Sequence, residues 1–168
     1  MSHYVVVRGP LASGKTTVAE RLARTLGGDR ISIDSILEEH DLERWEDGYV
    51  SERSFLEANE VAIRTAAPRL ERGIPIVFDG NFYWRSVIDD LVRRLPAPHL
   101  VVTLRVPVEL CLARDAERDR PLGPESVRDV YRKATEFDYG VGVDATGTVD
   151  ETVDAILGRL RALGRAPT

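Results

Sequence analysis

The sequence predicts an α/β chain in three layers, a five-stranded parallel sheet between two sets of helices. Three observations carry that prediction. Five short apolar runs, rich in Val and Ile, fall at residues 4–7, 30–33, 75–78, 99–106 and 141–143, and their length and near-continuous apolarity suit strands buried on both faces. Stretches with apolar residues three and four apart separate them, and such alternation means parallel pairing through right-handed crossovers. A glycine-rich turn joins the first run to the first helical stretch. With 168 residues, 43% hydrophobic and 30% charged, the chain fits one globular domain, 1–168, large enough to bury a core.

The first run, Tyr4-Val5-Val6-Val7, leads through Arg8 into Gly9. Val18, Ala19, Leu22, Ala23 and Leu26 then mark one face of a helix that stops at Gly27-Gly28. The second run closes on Asp34. A long helix is expected over residues 51–73, with Phe55, Leu56, Ala62, Ile63, Ala66 and Leu70 on one face and Ser54-x-x-Glu57 as a capping box inside its start. Pro68 is expected to kink or split that helix, because it removes a backbone hydrogen bond and crowds the preceding turn. The third run ends in Asp79-Gly80-Asn81, and a helical pattern covers residues 82–95. Beyond the fourth run, Pro107 opens a helix holding Val108, Cys111 and Leu112, and Pro124 opens another holding Val127, Val130, Tyr131 and Ala134. The fifth run precedes Thr148-Val-Asp-Glu151, a capping box for a last helix with Val149, Val153, Ile156, Leu157 and Leu160. The tail 165–168 is expected to fray.

The glycine turn holds most of the chemistry. Gly9-Pro10-Leu11-Ala12-Ser13-Gly14-Lys15-Thr16 reads G-x-x-x-x-G-K-[ST], and it stands between a strand and a helix, the setting that this phosphate-binding motif requires. Gly9 and Gly14 let the backbone curl until successive N–H groups point at one anion. The helix behind them adds free N–H groups and the positive end of its dipole. The loop from Gly9 to Thr17 is therefore expected to cradle nucleotide phosphates, with Lys15 reaching the β- and γ-phosphates and Thr16 offering its hydroxyl to Mg²⁺.

Ligands of open α/β sheets lie beyond the carboxyl ends of the strands. That rule singles out Arg8, Asp34, Asp79-Gly80-Asn81, Arg105 and Ala145-Thr146. Asp79 after an apolar run has the form of a carboxylate that helps hold Mg²⁺; the same residue could cap a helix. Asp34 is placed to accept the proton of an attacking hydroxyl, or, with Ser35, to cap the next helix. The stretch Arg114-Asp-Ala-Glu-Arg118-Asp119-Arg120-Pro121-Leu122-Gly123 reads either as a helix end with opposite charges three apart or as a mobile lid, 114–123, whose arginines close over phosphate and exclude water. An acceptor region is expected over 34–60 and 79–86, where Trp45, Tyr49, Arg53, Glu57, Asn81, Tyr83, Trp84 and Arg85 are available. Asp34, Arg53, Asn81 and Trp84 are its expected substrate contacts.

Several classes are disfavoured. A net charge of −5 and a pI near 5.3 argue against bulk nucleic-acid binding, which needs a basic footprint; one nucleic-acid end entering a local pocket remains compatible. No membrane span or signal-peptide core is evident. The single cysteine, Cys111, has no internal partner and sits among apolar neighbours, so a buried thiol and a reducing cytoplasm are expected. Gly80 follows Asp79 where motor-type ATPases carry a glutamate. The guanine-reading Asn-Lys-x-Asp pattern is missing, and Asp144-x-x-Gly147 follows the last strand, where a GTPase switch would not lie.

In order and spacing, these elements resemble the small P-loop kinases that phosphorylate hydroxyls: shikimate, gluconate and adenylylsulfate kinases, chloramphenicol phosphotransferase and polynucleotide 5′-kinase. Arg120-Pro121-Leu122 is similar to the shikimate kinase lid, Cys111-Leu-Ala-Arg114-Asp115 to adenylylsulfate kinase, and Phe137-Asp-Tyr-Gly-Val-Gly-Val-Asp144 to chloramphenicol phosphotransferase. The resemblance implies a P-loop NTPase fold with sheet order 2-3-1-4-5 and a helical lid, and ATP with Mg²⁺ as cofactors. It implies that Asp34 contacts a small hydroxyl-bearing substrate, that Arg114 lies near adenine with Thr146 on the nucleotide side, and that Arg118 and Arg120 join Lys15 on the phosphates. A nucleotide kinase with a phosphate acceptor, or a nucleotide-binding regulatory protein with little turnover, are the competing expectations.

Overall fold

The computed structural model describes residues 2–164, so the tail at 165–168 lies outside the described residues. Fourteen elements follow in order: β1 Tyr4–Arg8, α1 Lys15–Leu26, β2 Asp29–Ser32, α2 Ile33–Glu39, β3 Trp45–Glu46, β4 Tyr49–Val50, α3 Glu52–Glu71, β5 Ile76–Gly80, α4 Arg85–Arg94, β6 His99–Arg105, α5 Val108–Ala116, α6 Pro124–Ala134, β7 Val141–Asp144 and α7 Val149–Gly164. Five strands form one parallel sheet in the order β2-β5-β1-β6-β7. Counting only these strands, that is the expected 2-3-1-4-5.

Strand periodicity explains the two cores. On central β1, Tyr4 and Val6 point to one face and Val5 and Val7 to the other, all fully buried. Tyr4 and Val6 pack with Phe78, Phe55, Ile88 and Leu91 under α2, α3 and α4. Val5 and Val7 pack with Leu22, Cys111 and Ile156 under α1, α5 and α7. Cys111 is buried as expected. Among the described residues no helix is long and apolar enough to cross a membrane.

Three local expectations change. Pro68 does not break α3, which runs unbroken to Glu71. It lies in the last helical turns, and Ala66 and Leu70 on either side are buried in the core, so packing holds the helix through one missing bond. The N-cap of α3 is Ser51, whose Oγ accepts from the Ser54 N–H at 3.2 Å, so Ser54 is the capped residue rather than the cap. Residues 82–84 are not helical. Phe82 has φ 42, a left-handed turn that postpones α4 to Arg85. An unexpected antiparallel pair, β3–β4, also fills the link from α2 to α3. Its turn is Asp47-Gly48, with φ of 52 and 84, as a two-residue type I′ hairpin demands.

Candidate active site

The phosphate loop is built from backbone. Gly14, at φ 91, ends it, and no side chain caps α1, so the first N–H groups of that helix have no protein partner and face outward from its positive end. Ala12 also adopts a left-handed φ of 61. At Gly9 a Cβ would stand 2.8 Å from Ser13 Oγ and 3.2 Å from Leu104 Cβ, so a larger residue would need the Ser13 side chain to turn away. Lys15 is buried and its Nζ donates to Pro10 O at 3.2 Å. Burial pulls the Lys15 ammonium below its ordinary value, while Asp34 and Asp79 push it back up.

Asp34 is not a helix cap. The cap of α2 is Ser32, whose Oγ accepts from the Ser35 N–H at 3.2 Å. Asp34 sits in the first turn behind it and faces the loop after β5, where its Oδ1 accepts from the Asn81 N–H at 3.5 Å. Burial raises its carboxyl above the usual carboxylate range, opposed by Lys15, Asn81 N–H and Arg30. The Asn81 Oδ1 beside it is buried without a partner.

Asp79 is not a cap either, since α4 begins six residues later. It lies within β5, register-paired with Val7 of β1 and Ser32 of β2. Arg30 clasps it with two bonds, Nε to Oδ1 at 2.7 Å and Nη2 to Oδ2 at 3.0 Å. Losing Arg30 would strand a buried carboxylate, at a cost of about 3–5 kcal/mol for such pairs.

On the nucleoside side, Arg114 spans two loops: Nη1 donates to Ser13 O and Nη2 to Ala145 O, each at 3.0 Å. With Ser13, Gly14, Thr17, Ala145 and Gly147 it lines a pocket of about 240 Å³. Thr146 is turned away from that pocket; its N–H and Oγ1 donate to Asp144 Oδ1 at 2.8 and 2.6 Å. Beyond α5 the expected lid is a turn pinned from below. Buried Asp115 accepts from the Leu122 N–H at 3.1 Å and the Gly123 N–H at 3.0 Å. Arg118 stands 4.0 Å from the same carboxylate and is among the charges that act on Lys15, and Arg120 is exposed; neither hydrogen-bonds to the phosphate loop.

The acceptor residues divide. Asn81 joins Asp34. Arg53 does not: it is 88% exposed and pairs with Glu57 on its own helix. Trp84 lies in the acceptor wall, its Nε1 donating to Val50 O at 2.9 Å, with the Lys133 ammonium over its ring at 3.9 Å and over the Tyr49 ring at 5.5 Å. Trp45 projects from the hairpin, 66% exposed. Sequence reasoning missed Lys133, the Asp115 clasp and the wall made by β3–β4. Only the last left a readable signal, the Asp47-Gly48 turn.

Residues 5–137 match the AAA_33 family, described as an AAA domain. The chain belongs to this family of small P-loop kinases. It is 30% identical to an adenylate kinase of Deinococcus deserti, over 91% of this chain and 94% of that protein. A shorter match, 34% identical over 71 residues, joins 40% of the chain to 20% of the mouse L-seryl-tRNA(Sec) kinase. Two solved structures share the fold of the family member throughout. A sugar kinase from Janibacter sp. HTCC2649 has a TM-score of 0.78 at 19% identity, with 100% of both chains covered. A gluconokinase from Sinorhizobium meliloti 1021 has a TM-score of 0.72 at 18% identity, with 98% of both covered.

Proposed function

We propose that this P-loop kinase transfers the γ-phosphoryl group of ATP to a hydroxyl of a small molecule or a nucleic-acid end. The observation that carries the reading is Asp34, a carboxylate that caps nothing, faces Asn81 across the mouth of the phosphate loop and lies within the field of Lys15. In that reading Asp34 accepts the proton as the acceptor oxygen attacks the γ-phosphorus, and the bond from that phosphorus to the bridging oxygen of ADP breaks. The loop from Gly9 to Thr17 and Lys15 hold the phosphates, Arg114 borders the base, and Arg118 and Arg120 come over the phosphates as the lid, residues 114–123, closes.

Among the described residues, no group of three or more His, Cys, Asp or Glu is arranged to hold a metal by itself. That fits Mg²⁺, which binds through one or two protein oxygens with phosphates and water completing its shell. Thr16 is the direct oxygen donor. Both Asp79 oxygens accept from Arg30, so Asp79 would help hold the ion through water rather than directly. The ion would neutralise charge on the β- and γ-phosphates.

Likeness to an adenylate kinase favours a second reading, a phosphate acceptor. Such an acceptor needs converging arginines, and those nearby are engaged: Arg30 with Asp79, Arg44 with Asp41 O and Glu43 O, Arg85 with Asp138 O and the Tyr139 ring. ADP release measured against sugars, polyols, nucleosides, 5′-hydroxyl oligonucleotides and AMP separates the readings. AMP as the preferred acceptor overturns the first; no acceptor above the unstimulated rate points to a regulatory protein. Once an acceptor is known, Asp34→Asn should lower transfer by about 10²–10⁴-fold with ATP affinity unchanged, whereas near-normal transfer would remove Asp34 from the chemistry.

A further inference from the structure

Arg8 is the last residue of β1, immediately before Gly9, and it is fully buried. Although Asp138 and Arg105 act on it through space, no carboxylate among the described residues hydrogen-bonds to it. Its guanidinium donates instead to three elements: Nε to Phe82 O at 3.3 Å, Nη1 to Thr103 Oγ1 at 3.0 Å and Nη2 to Ala134 O at 2.6 Å. The Phe137 ring covers it, 4.4 Å from Cζ to the centroid. An apolar side chain would fill this place without the desolvation cost of a buried charge. The arginine persists where its fork has something to hold together.

The three acceptors show what is held. Ala134 O belongs to the last turn of α6, where helix carbonyls lack partners and the dipole favours a cation. Thr103 lies opposite Arg8 on β6 and passes the connection on, its Oγ1 donating to Tyr139 O at 2.8 Å. Phe82 is the strained residue. Its φ of 42 is a left-handed conformation that a residue with a side chain adopts only at a cost, and a buried ring together with the Arg8 bond keeps it there. The residue before it is Asn81, whose N–H meets Asp34. One side chain, next to the phosphate loop in sequence, thus joins that loop's strand to the turn carrying Asn81 and to the helix beyond the lid.

We infer that Arg8 is a positioning residue for phosphoryl transfer, setting the Asn81–Asp34 side of the acceptor site against the phosphate loop and tying both to α6. The inference rests on the kinase reading above. Its first readout does not. In Arg8→Lys, which keeps charge and loses the fork, hydrogen exchange at Asn81–Tyr83 should speed up while the amides of α1 stay as protected as in wild type. The second readout is kinetic: kcat should fall and the acceptor KM rise by about 10–100-fold, as for small misplacements far from the reacting atoms, with the Kd of an ATP analogue within about threefold of wild type. If Arg8→Lys does not fold, Thr103→Val removes one of the three acceptors at constant shape and should move the same amides to a smaller extent. Unchanged exchange at Asn81–Tyr83 in the folded variant overturns the inference, as does a lowered melting temperature with kcat and both KM values intact. Wild-type protein with no transfer to any acceptor defeats the kinase reading instead, and the exchange result still decides the role of Arg8.

Discussion

The phosphate side of the cleft is held by main chain: Gly9, Ala12 and Gly14 set its curve, and the uncapped start of α1 supplies its donors. The proposed acceptor side is held by side chains that come from far apart in sequence. Trp84 reaches Val50, Tyr49 reaches Asp129, and Lys133 lies over both rings. The difference teaches where variation is tolerated. Phosphates are the same in every nucleotide, and amides of a fixed loop suit them. Acceptors differ, and the proposed wall, built from long side chains of the hairpin, the turn before α4 and α6, can be re-shaped by single substitutions.

Three experiments break or sharpen that contrast. The largest effect belongs to the phosphate side: Lys15→Met should reduce turnover by about 10³-fold, in the range of a lost charge-stabilising donor, with a melting temperature close to wild type, because methionine fills the same buried space. Substantial turnover in the folded variant would break the assignment of the loop. Next is the acid limb of the pH–rate profile. Burial raises the Asp34 carboxyl, and only its ionised form accepts a proton, so kcat/KM should fall through a midpoint above the ordinary aspartate value of about 3.9. Stability should not fall with it. Folding also raises Asp79, so through these two groups the folded chain binds more protons than the unfolded one, and their contribution to stability grows as pH drops through the folded values. A thermal melt at each pH of the profile checks this; a melting temperature that tracks activity downward would mean the limb reports unfolding. The smallest effect tests the acceptor wall. Tyr49→Phe removes one hydrogen bond to Asp129 O, worth about 0.5–1.5 kcal/mol, and should raise the acceptor KM a few-fold while leaving the ATP KM alone.

The same contrast governs how much could be read from sequence. The strand runs, their order and the phosphate loop are local patterns, spelled out in neighbouring residues. Asp34 and Asp79 were visible as charges closing apolar runs, but their capping alternatives fell only when Ser32 proved to be the cap of α2 and α4 proved to start at Arg85. Lys133, far beyond Tyr49 in the chain, could not be linked to it from sequence, because a helical lysine carries no mark of the ring it covers. Pro68 was misjudged for the opposite reason: a sound local rule was outweighed by burial of Ala66 and Leu70.

The Asp115 clasp grips the turn after α5 by the N–H groups of Leu122 and Gly123, and an N–H is common to nineteen of the twenty amino acids. The path of the turn is thereby separated from the identity of its side chains. Position 122 is free to drift to any residue but proline, while position 123, at φ 97 and ψ 156, stays with glycine. A lineage could thus exchange the side chains displayed on this turn without redesigning the fold that presents them.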